Sequence, residues 1–182
     1  MTNRPPLRRV LLVGFMGAGK TTVGEALARA MGWRFCDFDE EVERLTQATV
    51  AEVFDRLGES GFREIEARAA RALLAESDLV IASGGGWAGA PGWSAAVPEG
   101  TAVVWLEVGP QEAVRRATAE PKRRPLLEGP DPLIRARELL ERRAPHYADA
   151  DWRVDTERSS VEDVTARILE ILRTPGWESK TE

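Results

Sequence analysis

The sequence predicts an α/β fold, a parallel sheet covered by helices on both faces, on three observations. Five short apolar runs, at residues 9–13, 33–36, 79–82, 101–106 and 152–154, alternate with segments of helical periodicity. The first run leads directly into Gly14-Phe15-Met16-Gly17-Ala18-Gly19-Lys20-Thr21, a phosphate-loop pattern that opens into a helix. Two further polar segments, Asp37-Phe38-Asp39 and Gly84-Gly85-Gly86, also fall at the carboxyl ends of apolar runs. That edge of a parallel sheet is where ligands bind.

The elements follow in chain order. Residues 1–8 carry Pro5-Pro6 and read as a loosely attached tail. The strand 9–13 and a helix over 20–31 enclose the loop, with Val23, Leu27 and Ala30 on one helix face and Gly32 as its stop. A second strand, 33–36, delivers the Asp37-x-Asp39 pair, and 40–45 continues as helix. Thr49-Val50-Ala51-Glu52 is a capping box that starts a helix over 50–57, ended by Gly58. A longer helix spans 60–76, with Phe62, Ile65, Ala69, Ala72 and Leu73 turned inward. After the strand 79–82 and the triple glycine, residues 88–93 read as loop. The strand 101–106 is followed by a helix over 110–118, for which Pro110 suits the first turn.

Residues 119–132 break the pattern, with five prolines and glycines among Lys122, Arg123 and Arg124; they read as a mobile loop. Helix 133–143, strand 152–154 and a last helix from the Ser160 cap to Leu172 complete the chain, and 174–182 is a polar tail. At 182 residues this makes a single domain, with its core over 9–173.

A net charge of −5 argues against a nucleic-acid or anionic-membrane partner. Cys36 is the only cysteine, so no intrachain disulfide forms, which suits a reducing cytosol. No apolar stretch approaches the length of a membrane span and the N-terminus lacks a signal-peptide pattern, so a cytoplasmic protein is expected. His146 is the only histidine and has no partner pattern for a metal site or a triad. No long apolar surface stripe is evident, and monomer is the default.

The residue types point to phosphoryl chemistry. Glycines let backbone N–H groups curl around anionic oxygens at a helix N-terminus. Lys20 is placed to reach the β- and γ-phosphates and the Thr21 hydroxyl to ligate Mg²⁺. In an extended segment Asp37 and Asp39 point the same way; one helps hold the metal, through water, and the other accepts a proton from, or orients, an attacking hydroxyl. The competing reading is an acidic helix start. Gly84, Gly85 and Gly86 allow close approach of a ligand to the backbone. Arg63, Arg124 and Arg143 singly read as surface residues; together they can clamp a carboxylate and neutralise a transferring phosphoryl group.

These segments, taken with Phe62-Arg63-x-x-Glu66, Arg124-Pro125-Leu126-Leu127 and Arg143-Ala144-Pro145-x-Tyr147, closely resemble the shikimate kinases over residues 9–173. The resemblance implies a three-layer P-loop kinase fold with a five-stranded parallel sheet. It implies transfer of the ATP γ-phosphate, with Mg²⁺, to the 3-hydroxyl of shikimate. By the same resemblance Gly17, Ala18, Gly19, Lys20, Thr21 and Thr22 bind the ATP phosphates, Thr21 and Asp37 serve the metal, and Arg116 and Arg158 contact the nucleotide. Asp39, Arg63, Gly84, Gly85, Gly86 and Arg143 hold shikimate. Lys20, Asp39 and Arg124 carry the catalysis, residues 119–132 form a lid and about 39–62 the substrate-binding region. Trp87 departs from the family's small residue and predicts an altered pocket edge; Val161 stands where some members have an adenine-packing proline. Two alternatives are a kinase of another small hydroxylated acid such as gluconate, and a catalytically silent ATP-binding regulatory protein.

Overall fold

The apolar runs become strands because each is buried along its whole length or pairs at the sheet's edge. In the computed structural model, which describes residues 6–119, 125–127 and 129–173, β1 (Arg9–Val13), β2 (Arg34–Asp37), β3 (Leu79–Ala82), β4 (Thr101–Glu107) and β5 (Trp152–Asp155) form one sheet. The order is β2-β3-β1-β4-β5, and every pairing is parallel. All residues of β1 and β3 are buried, as central strands covered on both faces must be.

Among the described residues six α-helices flank the sheet: α1 (Lys20–Met31), α2 (Phe38–Thr46), α3 (Val50–Leu74), α4 (Pro110–Ala119), α5 (Pro132–Tyr147) and α6 (Val161–Arg173). Helix α1 packs on α6, α2 on α3, and α4 on α5. The main core joins the strands to Leu27, Phe38, Leu73, Tyr147 and Ile168, while Val42, Val53, Phe62 and Ala69 form a second cluster between α2 and α3. Thr49 caps α3 through the expected box with Glu52.

Several boundaries differ from the sequence reading, and four of the differences bear on the site. Strand β2 starts at Arg34, because the Trp33 amide is still occupied in capping α1 through the Ala28 carbonyl. It therefore ends on Asp37. Helix α2 begins at Phe38, so Asp39 is helical and only Asp37 is extended. The helices predicted at 50–57 and 60–76 are one run broken where Gly58 takes φ 68° and ψ −175°, and that run ends at Leu74. Helix α5 runs past Arg143 and through Pro145 to Tyr147, whose ring is wholly buried and holds the last turn in the core. In the segment 119–132, residues Pro125–Leu127 form a short 3₁₀ turn with Leu127 buried; residues 120–124 and 128 lie outside the described residues.

Candidate active site

The carboxyl ends of β1, β2 and β3 are neighbours in the sheet, so the three polar segments meet there. After β1 the chain turns at Gly14 (φ 138°), Gly17 (φ 74°) and Gly19 (φ 86°), conformations that disfavour any side chain. Space adds a second demand at Gly17, where a Cβ would lie 2.5 Å from the Ala113 carbonyl oxygen. No side chain caps α1 at Gly19, which leaves the first-turn amides directed at the loop. The Lys20 ammonium folds back to donate to the Gly14 and Phe15 carbonyls, each at 2.9 Å.

The acidic pair takes its geometry from the strand-to-helix corner. Asp37 is both the last residue of β2 and the N-cap of α2; its Oδ1 accepts from the Asp39 amide at 2.9 Å. Its Oδ2 accepts from the Thr21 hydroxyl at 2.9 Å, tying the corner to the phosphate loop. Burial, reinforced by the Asp39 charge, pushes the Asp37 carboxyl above its ordinary value against the pull of those hydrogen bonds. Both readings of this pair thus meet in one place: Asp37 is a helix cap, and both carboxylates line one cleft. That cleft, of about 730 Å³, also takes in residues 16–23, Ser83, Gly84, Gly85 and Arg116.

A second cleft, of about 620 Å³, lies beyond the triple glycine and is lined by Arg63, Gly86, Leu126, Arg142 and Arg143, among others. The glycines form the wall between the two. They are glycines chiefly because side chains crowd against them: a Cβ on Gly84 would collide with the Glu66 carboxylate, and one on Gly86 with the Arg63 guanidinium. Gly85 instead abuts the phosphate loop, with the Met16 amide 3.4 Å from where its Cβ would stand. Arg63 Nη1 donates to Glu66 Oε2 at 2.6 Å. Glu66 is 1% exposed, and burial raises its carboxyl above the ordinary value even with Arg63 beside it. Arg143 is buried, and its Nη1 has no hydrogen-bond partner among the described residues. A buried donor held this way is costly unless something completes it. From the same helix Tyr147 donates its hydroxyl to the Gly85 carbonyl at 2.5 Å, and burial pushes that hydroxyl up to about 12.

Across the phosphate cleft, Arg116 is anchored rather than loose. Its Nε donates to Glu112 at 2.7 Å, and its Nη2 to the Thr156 carbonyl at 2.7 Å. Thr156, Ser159, Ser160, Val161 and Val164 complete that wall. Arg158 is exposed and does not line either cleft. Arg124 lies outside the described residues. Trp87 also lines neither cleft; its ring turns into the core instead of altering a pocket edge.

Sequence reasoning assigned no site role to Glu66, Tyr147, Thr156 or Ser159, and read Ser160 only as a helix cap. Glu66 had a usable signal, since it follows Arg63 at i+3, where a carboxylate meets a guanidinium on one helix face. Thr156 had none, because its place opposite the loop depends on β5 lying beside β4.

A parallel sheet with a phosphate loop after its central strand, an acidic corner and an arginine-lined cleft defines a P-loop kinase of small molecules. The family model described as "Shikimate kinase" matches residues 16–173. A shikimate kinase of Synechococcus sp. (strain RCC307) is 41% identical over 169 residues, 91% of this chain and 86% of that protein. The solved shikimate kinase from Acinetobacter baumannii in complex with shikimate superposes with a TM-score of 0.88 at 35% identity, covering 94% of this chain and 96% of that one. A gluconokinase from Sinorhizobium meliloti reaches a TM-score of 0.63 at 20% identity, covering 93% of each chain, a likeness of fold alone. The chain belongs to the shikimate kinase family, and it is an ATP-dependent kinase.

Proposed function

We propose that this protein transfers the γ-phosphoryl group of ATP to the 3-hydroxyl of shikimate, giving shikimate 3-phosphate and ADP. One observation carries the reading: the triple-glycine wall has the phosphate loop and acidic pair on one side and Arg63 and Arg143 on the other. A ring carboxylate gripped by the two arginines leaves the ring hydroxyls facing that wall, where Asp39 accepts the attacking hydroxyl's proton or orients it. Arg143 lines the same cleft as Arg63, which supports a carboxylate held between the two guanidinium groups.

At the other end, the loop amides and residues 17–22 bind the ATP phosphates, with Lys20 turning from its loop carbonyls to the β- and γ-oxygens. The Thr21 hydroxyl and Asp37 carboxylate are adjacent hard oxygen donors. Among the described residues no group of three or more His, Cys, Asp or Glu could hold a metal ion. One hydroxyl and one carboxylate, acting with substrate phosphates, are the donor set that suits Mg²⁺. Thr21 and Asp37 would hold Mg²⁺ there, and the ion would supply positive charge to neutralise the transferring phosphoryl group.

The new P–O bond forms to the 3-oxygen as the bond to ADP breaks, and positioning with charge neutralisation supplies the acceleration. Arg124, on a lid over residues 119–132, completes the charge field, and about 39–62 serves as the substrate-binding region. Arg116 contributes by fastening the nucleoside wall, and Arg158 contacts the nucleotide only if its loop moves. The enzyme works as a cytoplasmic monomer without nucleic acid, consistent with a charge of −5 and one free cysteine.

ADP release from MgATP is to be followed with shikimate, with gluconate and with neither. Release that depends on shikimate is expected. Release with gluconate at comparable kcat/KM would overturn the acceptor assignment, and release with neither would make the protein a plain ATPase.

A further inference from the structure

Trp87 is the residue that the two clefts leave unexplained. Its amide closes the triple-glycine turn, donating to the Gly84 carbonyl at 3.1 Å. Its ring meets Phe38 edge-on, with centroids 5.2 Å apart and planes at 84°, and tilts against Trp93 at 5.6 Å. These are favoured aromatic geometries. Trp93 continues the chain of contacts, donating its indole N–H to the His146 carbonyl at 2.8 Å, on the helix that bears Arg143.

Phe38 is the other end of the argument. It is wholly buried, and it stands between Asp37, the cap of α2, and Asp39 in the first turn. Successive side chains on a helix are separated by a fixed rotation of about 100°. Anchoring Phe38 therefore sets the direction in which the Asp39 side chain leaves the helix. We infer that Trp87 is a positioning residue: by holding Phe38 against the glycine turn it fixes the Asp39 carboxylate relative to an acceptor at that turn. The inference rests on the kinase reading above. It deepens that reading by naming what aligns the acceptor's proton partner with the wall. A ring serving only as core filler would not distinguish acceptor from nucleotide.

The test uses the full chain with shikimate and MgATP varied in turn, alongside thermal unfolding. Trp87→Ala is expected to lower kcat about tenfold and raise the shikimate KM severalfold, with the MgATP KM within about twofold of wild type. Trp87→Phe, which keeps a ring for Phe38, should recover most of the loss. Phe38→Leu should give the same acceptor-selective defect, and the double variant should be little worse than either single one, as expected for a shared route. Wild-type shikimate kinetics in folded Trp87→Ala, or a loss shared equally by MgATP, overturns the inference. If Trp87→Ala does not fold, Trp87→Leu replaces it under the same criteria. Wild-type protein assayed in parallel keeps the two readings apart: without its own shikimate-dependent turnover the acceptor assignment itself fails, whatever the variants do.

Discussion

Arg63 and Glu66 form an ion pair one helical turn apart on α3, with Nη1 and Oε2 at 2.6 Å, and the carboxylate is almost completely buried while the guanidinium is a quarter exposed. The pair aims Arg63 into the second cleft. Removing the carboxylate frees the guanidinium to swing, so Glu66→Ala is expected to raise the shikimate KM about tenfold, equivalent to about 1.4 kcal/mol. The MgATP KM should stay near wild type. Steady-state kinetics with each substrate varied checks the split, and an equal rise in both would show that Glu66 supports the whole fold instead.

Gly86 yields to the same guanidinium. Gly86→Ala places a methyl group where Arg63 now sits, so it should cost about 1–3 kcal/mol of stability and most of the shikimate turnover. Gly32→Ala is the matched control. Unlike Gly86, Gly32 takes a positive φ (68°), but a methyl group there meets nothing within 4 Å, and the substitution should lower stability by about 1 kcal/mol with kinetics unchanged. Melting curves and initial rates on the two variants decide it.

Tyr147 holds the Gly85 carbonyl through its hydroxyl, which burial keeps protonated up to about 12. Tyr147→Phe removes that one donor, and about 1 kcal/mol of stability is expected to go with it. Turnover should fall severalfold as Gly85 loses its tether. The pH–rate profiles of wild type and variant should keep the same shape below pH 10, because the phenol does not titrate there; a limb lost only in the variant would contradict this.

Asp37 links activity to instability. Its folded carboxyl value is raised, by burial first and by Asp39 second, so between its ordinary value and the raised one the folded state binds more protons than the unfolded state. Stability from this group is therefore lost as pH rises through that window. Asp37→Asn keeps a good helix cap and removes the buried charge. The nucleotide-free variant is expected to melt above wild type at pH 7, with the gap closing as pH falls through the raised value toward the ordinary one of about 3.9. Its turnover should drop at least about a hundredfold if Asp37 serves the metal as proposed above. Calorimetry across pH tests the first expectation and ADP release the second.

Much of this architecture was legible because it is written locally. The phosphate loop is one contiguous run between a buried strand and a helix, and its position follows from those neighbours. The strands with unbroken apolar runs, β1, β3 and β4, were readable for the same reason. What could not be read depends on contacts between segments distant in the chain. The Asp37–Asp39 geometry turned on whether Trp33 belonged to the strand or to the cap of α1, a one-residue question settled by a single amide. The end of α5 was hidden because Pro145 suggests a stop, whereas the burial of Tyr147 carries the helix past it. The triple glycine was recognised, but its reason was not: Glu66 and Arg63 come from a helix nearly 20 residues earlier and fill the space that side chains would need.

The strand order has a consequence for how such an enzyme changes. With β1 in the middle, β2 and β3 lie on one side of the phosphate loop and β4 and β5 on the other. The acidic corner, the triple glycine and Arg63 hang from the first half, the wall built from Arg116, Thr156 and Ser160 hangs from the second, and α5 carries Arg143 from the second half to the cleft of Arg63. Substitutions in the Arg116 wall can therefore accumulate while the first half keeps its working geometry, but a change on the acceptor side must suit both halves at once. β1 and its loop touch both halves directly, and a shift there of one residue, about 3.3 Å, would misalign both at once.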